Sequence, residues 1–226
     1  METKSNIAWV TLLLTMIAGY CDTVTFVSAD SIFSAHVTGN FIVFAYQLIK
    51  GSELNAWVKL LTFPIFIMAV ITGGRMAYRF TNHYSIMFWE GLLLLLSGIF
   101  VAVFTYLGIF EKWMMYAVVM ATVFAMGLQN AFGKLYAKET YGPTTMMTGN
   151  VTQASLDFGN LLKNGFKNPD AITSLKKQMI TIFGFLTGCF LGAFAGKQFG
   201  LITLIAPGIG MLICYFYHRN NSEFKI

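Results

Sequence analysis

Residues 86–108 read IMFWEGLLLLLSGIFVAVFTYLG, a run in which Glu90 alone carries a formal charge. A helix needs about 20 such residues, at 1.5 Å each, to cross the hydrocarbon core of a bilayer. A helix buried in a soluble core would be the other reading, but the chain around it argues against that. The 226 residues are 56% hydrophobic and 11% charged, with 22 Phe, 10 Tyr and 13 Met. An ordinary soluble domain carries about 25% charge, and a small domain leaves too much surface in water to hide so many large apolar side chains. Lipid is the solvent that fits this composition.

Working outward, five more stretches meet the same length requirement: 8–28, 57–75, 112–133, 178–197 and 199–217. Trp9, Trp57, Trp89 and Trp113 fall at the ends of such stretches, where tryptophan marks the membrane interface. Glu90, next to Trp89, reads as an edge residue that snorkels outward. Two shorter or more polar stretches, 33–49 and 144–162, remain. The second holds Thr144, Thr145, Thr148, Asn150, Thr152, Gln153, Ser155, Asp157 and Asn160. A helix of that content is expected either to cross inside the bundle or to dip into the membrane and return, with its polar groups against protein or water. The fold class expected is therefore all-α: a polytopic membrane helix bundle with six spans and two short polar helices, broken or re-entrant.

The net charge is +5, but the basic residues sit in ones and twos between apolar stretches, as loop charges do. The one cluster, Lys163, Lys167, Lys176 and Lys177, has only Phe166 beside it. A nucleic-acid groove would want interleaved aromatics there, so a cytoplasmic loop facing anionic lipid heads is expected and nucleic acid is not. Charge counting with the N-terminus inside favours that orientation for eight crossings or for six. In the six-crossing case Lys4, Arg75, Arg79, Lys134, Lys138, the four loop lysines, Arg219 and Lys225 lie inside, while Lys50, Lys59, Lys112 and Lys197 lie outside. The rule orients the chain, with both termini cytoplasmic, without counting its crossings. The first segment shows no cleavage pattern and is expected to stay in the mature protein.

Self-similarity is the strongest further signal. Gly19-Tyr-Cys-Asp22, Phe33 and Thr38-Gly39-Asn40 are echoed by Gly127-Leu-Gln-Asn130 and Thr148-Gly149-Asn150, at offsets of 108 and then 110; Gly74-Arg75 matches Gly196-Lys197 at 122. A two-fold internal repeat follows, with halves 1–110 and 111–226 in one integral membrane domain. Three true spans per half would make the halves inverted, and four would make them parallel. Many secondary transporters are built this way, with a site near the midplane where the halves meet.

The Gly-Tyr-Cys-Asp block, Phe33 and the two Thr-Gly-Asn segments, spread over essentially the whole chain, resemble the YoaK-like family of uncharacterised bacterial multi-span membrane proteins. The resemblance implies a bacterial inner-membrane location and carries no activity with it.

Polar residues inside apolar stretches are the candidate solute- or proton-binding site. Asp22 lies well inside the first span, where an unpaired acid costs roughly 2.5–3.5 kcal/mol; a proton, a cation or hydrogen bonds must offset that, and a purely structural role is the alternative. Asn130 occupies its repeat position. Thr38 with Asn40, and Thr148 with Asn150, open the two short helices, where they either line a solute site or simply cap and pack. Gln153 and Asp157 follow Asn150 at +3 and +7 on one helical face that reads as a lined cavity, while Asn160, at +10 on the same face, is expected to reach the headgroups. His36 stands close enough to Thr38 to join a proton-coupled step, or serves as a structural residue. His83 and His218 fall in expected loops.

Gly184, Gly188, Gly192 and Gly196, continued by Gly200, form a ridge of one residue in four. It allows close helix approach, as an intramolecular seam by default or as a homo-oligomer face. Pro207 is expected to kink the last span. Cys21, Cys189 and Cys214 lack metal or redox spacing. Zinc-protease, P-loop, nucleophile-elbow and haem motifs are missing, so no cofactor and no enzyme are expected. The expected partners are the bilayer and a small solute or ion. A permease is the leading reading, a sensor, scaffold or assembly partner the second, and an intramembrane enzyme the third.

Overall fold

The computed structural model describes residues 2–51 and 56–223, and side chains from Asn6 to Arg219. The side chains of Lys4 and Lys225, counted above as cytoplasmic charges, lie outside the described residues. Among the described residues the chain is all-α: α1 (Glu2–Ser28), α2 (Gly39–Lys50), α3 (Val58–Arg79), α4 (Ser85–Tyr106), α5 (Lys112–Leu135), α6 (Met147–Lys163), α7 (Pro169–Phe199) and α8 (Ile205–Glu223), with a 3-10 turn over Gly200–Leu204 between the last two. By length and composition five segments can cross a membrane: Asn6–Ser28, Val58–Arg79, Ser85–Tyr106, Lys112–Leu135 and Pro169–Arg219. The chain is thus a multi-pass membrane protein.

Local chemistry sets the helix ends. α7 begins at Pro169, earlier than apolarity alone indicates, because Asn168 accepts hydrogen bonds from the Asp170 and Ala171 amides and Pro169 is already set at a helical φ. Lys176 and Lys177 therefore belong to this helix and not to a loop. α7 stops at Gly200, whose φ of +63° ends the helical path. Gly200 is thus the turn after the glycine ridge and not its fifth member. Pro207 sits in the first turn of α8, where a missing amide breaks no helical bond, so the expected kink has no cause there. The short polar helices begin later than the polar stretches do: residues 33–38 and 144–146 precede α2 and α6 as loop.

Close approaches at glycine fix how the helices run. Gly184 lies against Leu12 and Thr15, Gly188 against Met16 and Tyr20, and Gly196 against Val24 and Ser28, so α7 lies along α1 in the same direction. α3 lies along α5 in the same direction, with Ala69 against Gly127 and Ala131 against Gly73. α4 and α8 run oppositely, pairing Gly98 with Ile205 and Gly91 with Met211. α1 and α5 also run oppositely, joined at Leu14–Gln129 and at Asp30–Tyr116. Since Tyr20 on α1 reaches Thr203 and Gly210 lies against Leu13 and Ile17, α8 returns antiparallel to α1. The 51-residue segment thus folds back at Gly200 into two antiparallel helices. The core runs through Leu14, Ala18, Cys21, Met87, Leu94, Val123, Phe132 and Leu204, all buried.

Candidate functional site

Asp22 lies six residues before the end of α1, and the loop after α1 turns back to meet it. The Ala35 amide donates to Asp22 Oδ1 at 2.7 Å and the His36 amide at 3.1 Å. One turn further on, Asn40 closes the same loop: its Oδ1 accepts from the Phe33 amide at 2.8 Å, and its Nδ2 donates to the Phe33 carbonyl at 2.8 Å and to Thr62 of α3 at 3.1 Å. Backbone groups released by the non-helical loop lose their helical partners, and these side chains supply replacements. Asn40 is fully buried and Asp22 nearly so.

Side chains of α5 and α6 hold the loop between these two helices. Asn130 Nδ2 donates to Thr145 Oγ1 at 2.6 Å, and Gln129 Nε2 donates to Thr144 Oγ1 and to the Leu14 carbonyl, each at 2.9 Å. Asn150 Nδ2 donates to the Pro143 carbonyl at 3.0 Å. Asn150 and Pro143 stand seven residues apart, as Asn40 and Phe33 do. Proline has no amide proton, so only one of the two bonds can form in this loop.

These residues do not converge on one centre. Gln129 and Asn130 lie level with Leu14 of α1, and Asp22 is eight residues further along, on the order of 12 Å at 1.5 Å per residue. Each group grips its own returning loop. Thr38 makes no side-chain cap, and Thr148 is exposed. His36 is half-buried with its ring edge toward Phe33.

The polar stripe of α6 also divides. Asn150, Ala154, Asp157 and Leu161 are buried against α7, while Gln153 and Asn160 are exposed; Gln153 bonds Asp157 Oδ1 at 2.9 Å and Asp157 Oδ2 has no partner. The buried face of α6 follows the 150, 154, 157, 161 spacing, so Gln153 does not share it with Asn150 and Asp157, and Asn160 faces outward.

Sequence reading also misplaced Glu90 and His218. Glu90 does not snorkel: it is fully buried, and neither carboxylate oxygen has a hydrogen-bond partner. Helix α4 starts only at Ser85, so Glu90 lies in its second turn and faces inward with Gly91, Leu94 and Gly98. The seven-residue spacing of Gly91 and Gly98 was the available signal, since it marks the face against which α8 packs. His218 is in α8, not a loop, with its ring stacked on Tyr84 at 4.4 Å between centroids.

Charged and aromatic groups cluster at both ends of the bundle. At one end Asp30 Oδ2 accepts from Tyr116 at 2.5 Å and pairs with Lys112 at 3.2 Å, tying the end of α1 to the start of α5. Burial alone would raise the Asp30 carboxyl, but the Tyr116 hydroxyl and the Lys112 and Lys59 ammonium groups together hold it below the usual carboxylate range. At the other end Tyr84 donates to Glu139 at 2.7 Å, and burial followed by that carboxylate pushes the phenol well up. A cleft of about 280 Å³ between α1 and α8, walled by Trp9, Val10, Leu13 and Ile213, involves none of the residues expected from the repeat. Among the described residues no three His, Cys, Asp or Glu side chains are grouped to hold a metal ion.

A family model described as "Protein of unknown function (DUF1275)" matches residues 10–217. The chain belongs to the DUF1275 family. This is the YoaK-like family that the Gly-Tyr-Cys-Asp and Thr-Gly-Asn blocks resemble, and the match takes in both returning loops of this DUF1275 chain. No match to it was found among curated proteins or solved structures.

Proposed function

We propose that this DUF1275 protein is a permease for a small solute or ion, built as an inverted duplication of two halves of three spans and one re-entrant helix each. The observation that carries this reading is the pair of equivalent clasps: Asp22 with Asn40, and Asn130 with Asn150, each hold a loop that turns back along its preceding span, and α1 and α5 run in opposite directions. The packing follows the same exchange of halves, for α1 grips α7 as α5 grips α3, and α4 meets α8 across the centre. Six crossings place the α1 end, the α5 start and the Gly200 turn on one side, and Tyr84, Glu139 and the C-terminal end of α8 on the other. With the lysines and arginines of the second side cytoplasmic, the location is the bacterial inner membrane.

An inverted pair supplies the physics of alternating access. Two halves of similar sequence in opposite orientation have two conformations of similar energy, related by exchanging their roles, and a ligand bound between them shifts the population. The Asp30–Tyr116–Lys112 and Tyr84–Glu139 clusters close opposite ends. The test is uptake by the purified chain in phosphatidylethanolamine–phosphatidylglycerol vesicles, screened over amino acids, sugars and monovalent ions under an imposed pH gradient or potential. Accumulation above protein-free vesicles is expected for at least one class. Its absence for all of them overturns the permease reading.

A second reading rests on a different observation. α6 leaves Thr148, Gly149, Thr152, Gln153 and Ser155 uncovered in the single chain, and polar side chains in a membrane helix seek a helical partner. A non-transporting assembly component would use that face. Solute accumulation by the purified chain alone decides against it.

A further inference from the structure

Among the described residues Glu90 is the one carboxylate with both oxygens buried and unpartnered. It is fully buried in α4, and both carboxylate oxygens lack a partner. Tight seams surround it, with Gly91 against Met211 and Leu212 of α8 and Gly98 against Ile205. Its own face of α4 is otherwise apolar or small: Ile86, Met87, Gly91, Leu94, Ser97 and Gly98. An ionised carboxylate in such a place would forgo several kcal/mol of hydration with nothing in return.

The titratable groups facing it are few. From α8, Cys214 comes within electrostatic range, and His218 lies one turn beyond; from α1, Cys21 does the same. On α5 the charged residues Lys112 and Lys134 are at the two ends, and on α3 Lys59 is at the start while Arg75 and Arg79 are exposed near the finish. The 3-10 turn carries no titratable residue.

We infer that Glu90 is a proton-binding site of this protein, holding its proton in the closed conformation seen here and exchanging it only when the α4–α8 seam opens. This rests on the permease reading and assigns its coupling ion: a proton carried on the Glu90 carboxyl, leaving the carboxylate when water gains access. Asp22 is unsuited to that role, since two backbone amides already occupy one of its oxygens.

The inference is tested on the full chain in lipid vesicles with a membrane-permeant carbodiimide, which reacts with protonated carboxyls, the adduct being located by peptide mass spectrometry. An ordinary glutamate, with a reference value near 4.3, would lose roughly 80-fold of its protonated fraction between pH 5 and pH 7. A Glu90 adduct whose yield falls less than about threefold over that interval is the expected result. An 80-fold fall, or no adduct at Glu90 at any pH, overturns the inference. In parallel, E90Q should keep the wild-type melting temperature at pH 7, because the amide mimics the protonated acid; a large loss would show a carboxylate with a partner and would also overturn it. The labelling does not depend on flux, so a labelled Glu90 in a chain that accumulates nothing would refute the permease reading and leave the proton site standing.

Discussion

Asn40 and Asn150 each tie loop backbone to the helix that follows it. Asn40→Ala leaves both polar groups of Phe33 unpaired, and each buried orphan costs about 1–3 kcal/mol. Asn150→Ala frees one carbonyl, so its cost is expected to be about half as large. Melting temperatures of the two variants in one detergent check the order, and equal losses would contradict it. Asp22 is a sharper case. An asparagine oxygen can still accept from the Ala35 and His36 amides, whereas alanine cannot. Asp22→Asn should therefore fold and melt close to wild type, and Asp22→Ala should lose about 2 kcal/mol or more. If Asp22→Asn is as damaging as Asp22→Ala, a charge and not a hydrogen-bond acceptor is what the site requires.

Among elements, the α1–α7 seam depends on the absence of side chains. A Cβ on Gly188 would overlap the Met16 carbonyl, and one on Gly192 would reach the Tyr20 backbone at 2.5 Å. Rigid backbone on both sides leaves no flexible atom to give way. Gly188→Ala is expected to cost about 1–3 kcal/mol by overpacking, and Gly188→Leu to abolish folding. Gly149→Ala on α6 meets nothing within 4 Å. It should gain up to about 1 kcal/mol from helix propensity. Yield and melting temperature of the three variants provide the check, and a destabilised Gly149→Ala would mean that a partner covers that face.

At the scale of the whole molecule, the two ends are held by different chemistry, an ion pair with a phenol at one and a phenol–carboxylate bond at the other. Asp30 joins the end of α1 to the start of α5 and has a depressed folded-state value. Its contribution is present above the unfolded value of about 3.9 and is lost as pH falls through the lower folded value. The gap in melting temperature between wild type and Asp30→Asn should hold from pH 8 to pH 5 and close below about pH 4; a gap that widens in acid would contradict the Lys112 and Tyr116 pairing. The six-crossing arrangement makes a separate prediction for single cysteines in a cysteine-free background. Gly51→Cys and Gly108→Cys should react with an impermeant thiol reagent from outside, and His83→Cys and Gly165→Cys only after the membrane is broken. Labelling of Gly51→Cys and His83→Cys from the same side would overturn it.

Composition and the long apolar runs by themselves determine that the chain is a helical membrane protein, because helix length is matched to bilayer thickness residue by residue. The echo of Asp22 and Asn40 in Asn130 and Asn150 can be read from the sequence as well, and three of these four side chains bond to loop backbone. Only tertiary structure decides what they do. Whether a buried polar group binds a ligand or satisfies its own chain depends on which loop turns back to meet it, and the partners of Asp22 and Asn40 lie in irregular backbone that has no periodicity to read. Glu90 shows the same limit from the other side. The sequence places it beside an interfacial tryptophan, yet its burial follows from α8 returning across α4 after the turn at Gly200, a contact between residues more than a hundred positions apart. Lipid selects for apolar helices along the chain, but the environment of each scarce polar group is set by which helices meet around it.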